Sequence, residues 1–192
     1  MRFPGAFEHN VAQGHAALAG TCGLSLMSRL RRVELHSRSF FITCNLKRGI
    51  QPLCDSEIEV LAKALRSVRR KVPFALCGYC FMPDHWHAIL LPEACTSISD
   101  ILMRIKIAAY RRISSARECP RPIWQSRFYD HILHSRAEFD QTLDYVHQNP
   151  VVKGLVHDSS NWKWSSAAWY ANRTGPIEID EFRLPLNSLD RI

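Results

Sequence analysis

Apolar and polar positions alternate in two rhythms along this chain. Ser39-Phe40-Phe41-Ile42-Thr43-Cys44-Asn45 is a compact β-branched and aromatic run and predicts a strand. After Lys47-Arg48-Gly49, the stripe Ile58, Leu61, Ala62, Leu65 and Val68 has helical spacing, with Asp55 or Ser56 as its cap. Phe74 to Phe81 and His85 to Leu91 read as two further strands. The tight link Met82-Pro83-Asp84 makes them a hairpin, because proline fixes its own φ and biases the residue before it toward extended backbone. Ser97, with Asp100 three residues on, opens a second helix whose stripe is Ile98, Ile101, Leu102, Ile105, Ala109 and Ile113. Beyond Pro120 and Pro122, Ile123 to Leu133 is the expected fourth strand. Ser135-Arg136-Ala137-Glu138 is a capping-box pattern opening a third helix, expected to run to about Gln148 and stop at Asn149-Pro150.

The order strand, helix, strand, strand, helix, strand matches the ferredoxin-like βαββαβ plan. The expected fold is therefore α+β, an antiparallel sheet with helices on one face, plus a C-terminal helix. Residues 1–33 have weak periodicity and read as a loosely ordered basic extension. Residues 34–170 read as one domain and 171–192 as a C-terminal tail.

Charge adds a partner class. The chain has 192 residues and a formal net charge of +7, which favours a polyanionic partner such as nucleic acid or an anionic membrane surface. Arg66, Arg69, Arg70 and Lys71 fall on the first helix or its end, and Arg104, Lys106, Arg111 and Arg112 on the second. Together they could form a phosphate-binding surface; a solvated helix face is the plainer alternative. The seven cysteines are odd in number and lie mostly in apolar runs, which fits reduced thiols in a cytoplasmic protein. Cys77-Gly78-Tyr79-Cys80 has no second pair, and a regular strand would turn its two thiols to opposite sides. No run approaches the roughly 18 apolar residues of a membrane span, and the start carries too little positive charge to predict a cleaved signal.

Two places carry candidate chemistry. His85 and His87, at i and i+2 in a strand, share one face, while Trp86 and Ala88 point the other way. Paired imidazoles make half of a divalent-metal site, though two half-buried histidines at a sheet edge would look the same. On the third helix Phe139, Leu143 and Val146 form the buried stripe. Tyr145 lies about 240° round from Phe139 at 100° per residue, off that stripe, with Asn149 one turn on. A partly exposed packing tyrosine is the plainer alternative there.

Taken together, Met82-Pro83-Asp84-His85-Trp86-His87, Trp124-Gln125 with Phe128-Tyr129-Asp130-His131, and Asp144-Tyr145-Val146-His147-Gln148-Asn149-Pro150-Val151 with Lys153-Gly154-Leu155-Val156 resemble the single-tyrosine HUH transposases. Within that group the chain is most similar to the REP-associated tyrosine transposases, over about residues 36–170. The resemblance implies that His85 and His87 hold Mg²⁺ or Mn²⁺. Asn149 stands where the family carries its helix-borne third ligand; the wider group often has Gln there, and Gln148 is the neighbouring alternative. It further implies that Tyr145 attacks a phosphodiester to form a 5′-phosphotyrosine link, on single-stranded DNA beside a short hairpin. It leaves monomer or homodimer open. A non-catalytic nucleic-acid-binding domain and a water-using metal phosphoesterase are the rival expectations. The second would normally repeat its histidine motif, and no repeat is present.

Overall fold

The computed structural model describes residues 38–93, 96–118 and 121–182. The chain runs β1 (Ser39–Asn45), α1 (Asp55–Arg69), β2 (Phe74–Phe81), β3 (His85–Pro92), α2 (Ile98–Ala116), β4 (Tyr129–Leu133), α3 (Arg136–Val152), a short 3₁₀ turn (Ser159–Asn161) and α4 (Ala167–Asn172). The sheet order is β2-β3-β1-β4, and every pairing is antiparallel. This is the βαββαβ arrangement with one more helix on the far side.

The alternation of side chains divides the core into two layers. Phe40, Ile42 and Cys44 of β1 and Trp86, Ala88 and Leu90 of β3 pack under the apolar stripes of α1 and α2. Ile89 of β3, Leu133 of β4 and Ala75 of β2 pack under Phe139 and Leu143 of α3. Helix α3 therefore covers the face that carries His85 and His87. Gly78 permits its close approach: a Cβ there would lie 2.7 Å from Leu143 Cδ1.

Several elements depart from their expected limits. The cap of α1 is Cys54, not Asp55 or Ser56; Glu57 accepts the Cys54 N–H at 2.9 Å, and Asp55 instead accepts from Lys163 and from the Trp164 indole, each at 2.7 Å. The fourth strand begins at Tyr129 rather than Ile123, because Trp124 makes only an isolated bridge to Leu46 and residues 125–128 leave the ladder. Helix α3 passes through Pro150 to Val152 instead of stopping at Gln148. Pro150 stands in the last turn, where it lacks the N–H that would have bonded the Val146 carbonyl and its ring crowds that carbonyl, yet only two helical residues follow it. The helix ends at Gly154 (φ 69°), whose N–H bonds the Val151 carbonyl while Leu155 N–H bonds that of Pro150, a Schellman ending that needs the left-handed conformation. A register shift between Leu76 and Gly78 overturns the expectation for the Cys-x-x-Cys pair: Cys77 and Cys80 both join the apolar clusters on the α3 side. Both are free thiols.

The C-terminal segment closes the β2 edge of the sheet. Ser166 N–H bonds the Tyr79 carbonyl, Phe81 N–H that of Trp164, and Leu76 N–H the Asp180 carboxylate at 2.7 Å. The expected boundary at residue 170 falls inside α4, and Ile177 beyond it is buried. Residues 1–33 and 183–192 lie outside the described residues.

Arg117 ties the two outer helices together. It donates to Glu57 in bidentate fashion, and to the Gln51 and Pro52 carbonyls at 3.0 Å. Its removal strands a largely buried carboxylate at the start of α1. Arg117→Ala should lower unfolding stability by about 2–3 kcal/mol, read as a shift of the urea midpoint at pH 7. A change below about 0.5 kcal/mol, the usual range for a surface substitution, would contradict the latch.

Candidate active site

The turn at Pro83-Asp84 delivers the chain into β3 with His85 and His87 on the α3 side and Trp86 fully buried on the other. Both histidines face one way, as their spacing predicts, with ring centroids 4.7 Å apart. Each is held by its Nδ1. His85 Nδ1 lies 2.6 Å from the Asp84 carboxylate, and His87 Nδ1 lies 2.9 Å from Thr43 Oγ1, its cross-strand partner on β1. Such contacts fix ring orientation and leave Nε2 for another partner, as in metal-ligating histidines. His87 is only 2% exposed, and its Nε2 is buried with no hydrogen-bond partner among the described residues. Burial, seconded by the neighbouring His85, pushes the His87 imidazole down to about 3, against the opposing pull of the Asn149 amide. It is therefore neutral at ordinary pH, with a lone pair to offer.

Helix α3 brings the other half. Tyr145 is 50% exposed, and its ring lies edge-on to His87 at 5.5 Å and to Phe41 at 6.0 Å. Asn149, one turn on, donates its amide N–H to the Tyr145 carbonyl at 2.9 Å, which leaves Oδ1 to another partner. Gln148 is exposed. No three His, Cys, Asp or Glu residues converge as metal ligands among the described residues. The available donor set is thus two imidazole nitrogens and an amide oxygen, a chemistry that suits a divalent cation with open positions.

Three residues of the site escaped the sequence reading as participants: Phe41, Thr43 and Asp84. Phe41 stacks on His87 at 5.4 Å and touches both Tyr145 and Tyr129. Phe41 and Thr43 share one face of β1 because side chains alternate along a strand, and the register with β3 makes it the histidine face. Tyr129, 53% exposed, shares that face and meets Phe41 at 6.1 Å; its ring contact is with Phe41, whereas Tyr145 also meets His87.

The basic helix residues are not brought to this site. Arg66, Arg69, Arg70, Arg104, Lys106, Arg111 and Arg112 all belong to α1, α2 or their ends, across the sheet from the histidines. Arg66 donates to the Pro176 carbonyl, and Arg69 to that of Glu178 and to the Asp180 carboxylate, so both hold the C-terminal segment. Lys106 donates to the Gln125 carbonyl at 3.1 Å. Arg70, Arg104, Arg111 and Arg112 are exposed. On the histidine side, burial pushes the Asp84 carboxyl up, but the hydrogen bond and charge of His85 outweigh it and hold the group below its usual value, with Lys153 adding a smaller pull in the same direction.

His147 anchors α3 from beneath. Its Nε2 lies 2.8 Å from Ser166 Oγ, which in turn accepts the Tyr79 N–H at 3.0 Å. Burial lowers this imidazole to about 4, below the 6.5 of a free histidine. The unfolded chain therefore binds a proton that the fold refuses, and stability falls as pH drops from 6.5 toward 4. His147 alone should contribute a loss of up to about 2 kcal/mol between pH 7 and pH 5. His147→Gln should shrink that loss, compared by urea titrations at the two pH values. An equal loss in the variant would contradict this assignment.

Residues 36–149 match the family described as "Transposase IS200 like". A REP-associated tyrosine transposase of Escherichia coli (strain K12) is 30% identical over 141 residues, covering 73% of this chain and 82% of that protein. The solved structure of a REP-associated tyrosine transposase bound to a REP hairpin is similar with a TM-score of 0.64 and 27% identity, over 77% of this chain and 87% of that one. Among the described residues no helix is long and apolar enough to cross a membrane. The chain belongs to the IS200-like transposase family, in its REP-associated tyrosine group, and is a DNA strand transferase.

Proposed function

We propose that this transposase cleaves and rejoins single-stranded DNA beside a hairpin, with Tyr145 as nucleophile. His85 Nε2, His87 Nε2 and Asn149 Oδ1 are its ligands for Mg²⁺ or Mn²⁺. The observation that carries the reading is the half-exposed Tyr145 ring against His87, whose buried Nε2 has no hydrogen-bond partner among the described residues. The hairpin partner is supported by the related structure, which was solved with a REP hairpin bound.

In the reaction Tyr145 Oη forms a bond to phosphorus, the bond from phosphorus to the 3′-oxygen breaks, and the phenolic proton passes to solvent or to that oxygen. A 5′-phosphotyrosine and a free 3′-hydroxyl result. Attack by a 3′-hydroxyl on the linked phosphorus reverses the step and rejoins DNA without ATP. When bound, the cation polarises the scissile phosphate and stabilises charge on the leaving oxygen. Asp84 and Thr43 hold the two rings by their Nδ1 atoms, which leaves both Nε2 atoms to serve as ligands, and Asn149 is tied through its amide N–H to the backbone of Tyr145.

Labelled hairpin-flanked single-stranded DNA incubated with Mg²⁺ or Mn²⁺ and run on a denaturing protein gel tests this. A covalent adduct is expected. Cut DNA without an adduct would mean a water-using phosphoesterase, and intact bound DNA a non-catalytic binder.

A further inference from the structure

Across the sheet from the histidines, α2 and the segment 122–128 enclose an open groove of about 460 Å³. Its walls are apolar and aromatic: Met103, Ile107 and Tyr110 from α2, with Trp124 and Phe128 opposite. Met103 and Ile107 are 50% and 42% exposed, unusual for large apolar side chains on a helix that already buries another stripe. Lys106 reaches over this floor, its Nζ 5.5 Å from the Phe128 ring centroid. The surroundings are cationic. Arg104 and Arg111 lie on the exposed side of α2 beyond Ile107, and Arg121 and Arg127 are exposed on the opposite segment, against two exposed carboxylates, Asp100 at the start of α2 and Asp130 on the same face of β4 as Phe128. Aromatic surface inside and cations outside are the two requirements of a single-stranded nucleic-acid site, stacking for bases and charge for phosphates.

The fold also supplies a path from this groove to the catalytic face. β4 is an edge strand, and among the described residues no further strand pairs with its open side. Phe128 packs toward the helix layer, whereas Tyr129, the next residue, lies on the histidine face against Phe41. Adjacent residues thus present aromatic rings to the two sides of one edge.

We infer that the groove seats an unstacked nucleobase of the DNA, its backbone meeting the α2 cations, and that the strand reaches Tyr145 by crossing the β4 edge. This rests on the single-stranded DNA reading above and gives the exposed basic residues of α2 a position on the substrate.

Two measurements test it. A short oligothymidylate carrying 5-iodouracil, irradiated with the wild-type protein, should crosslink to Trp124 or Phe128, identified by peptide fragmentation. Ile107→Asp places a carboxylate at an already exposed position, so the fold should persist, and affinity for the same oligonucleotide should drop roughly tenfold or more. With DNA at saturation its covalent adduct should still form. Wild-type affinity in Ile107→Asp together with crosslinks elsewhere would overturn the inference while leaving the cleavage reading intact. A dimer in sedimentation that Ile107→Asp dissociates without loss of DNA affinity would also overturn it, since the groove would then seat a second copy. Failure of the cleavage reading shows differently, as an adduct that survives Tyr145→Phe, and leaves both groove measurements readable.

Discussion

Tyr145→Phe is expected to abolish the covalent protein–DNA adduct, to below about a thousandth of the wild-type yield, while DNA affinity and metal binding persist. The ring stays against Phe41 and His87, contacts that do not involve the hydroxyl. Tyr145 is half exposed, so stability should move by no more than about 0.5 kcal/mol. Tyr129→Phe should leave the adduct in place. That variant is the informative control, because Tyr129 is as exposed as Tyr145 and touches the same phenylalanine. The two differ in their neighbours. Tyr145 meets His87 and rides on the helix that presents Asn149, whereas Tyr129 sits on the edge strand. Adduct lost in Tyr129→Phe and retained in Tyr145→Phe would move the nucleophile to β4.

The second large effect concerns the cation. Chelation should suppress adduct formation by a factor on the order of 10² to 10³, with recovery on adding Mg²⁺ or Mn²⁺. His87→Gln should mimic chelation without rescue. It retains a polar side chain beside Thr43 but removes the imidazole whose Nε2 has no hydrogen-bond partner among the described residues. Thr43→Val leaves the ligand and removes only its orientation, so a loss of about 10- to 100-fold is expected, in metal affinity or activity. Adduct formation indifferent to chelation would remove the metal from the account while sparing Tyr145.

Much of this arrangement is legible in the amino-acid sequence. The i, i+2 spacing of His85 and His87 fixes their common face in a strand, and buried Trp86 confirms the opposite one. The stripe Phe139, Leu143, Val146 placed Tyr145 outside the core, where it is found. What stayed hidden depended on register and on local overrides. Phe41 and Thr43 join the site only because β1 pairs with β3 so that Thr43 opposes His87. Helix α3 outruns its expected limit because Pro150 falls in the last turn, and the stop signal is Gly154, with its left-handed backbone and Schellman bonds. The thiols of Cys77 and Cys80 share a side because one register shift inverts the alternation on which a strand reading relies. Charge could not place Arg66 and Arg69: a helix-end arginine looks the same in sequence whether it faces phosphate or, as here, the carbonyls of Pro176 and Glu178.

The central claim is that Tyr145 becomes bonded to DNA, and the most direct measurement is the site of that bond. After the reaction, nuclease trimming and trypsin digestion leave the two candidate tyrosines on separate peptides, one spanning Phe128 to Arg136 and the other Ala137 to Lys153. Mass spectrometry should find a nucleotide phosphate on the second peptide, with fragment ions locating it on Tyr145. A nucleotide on Tyr129, or both peptides unmodified in a reaction that has cut its DNA, would contradict the account.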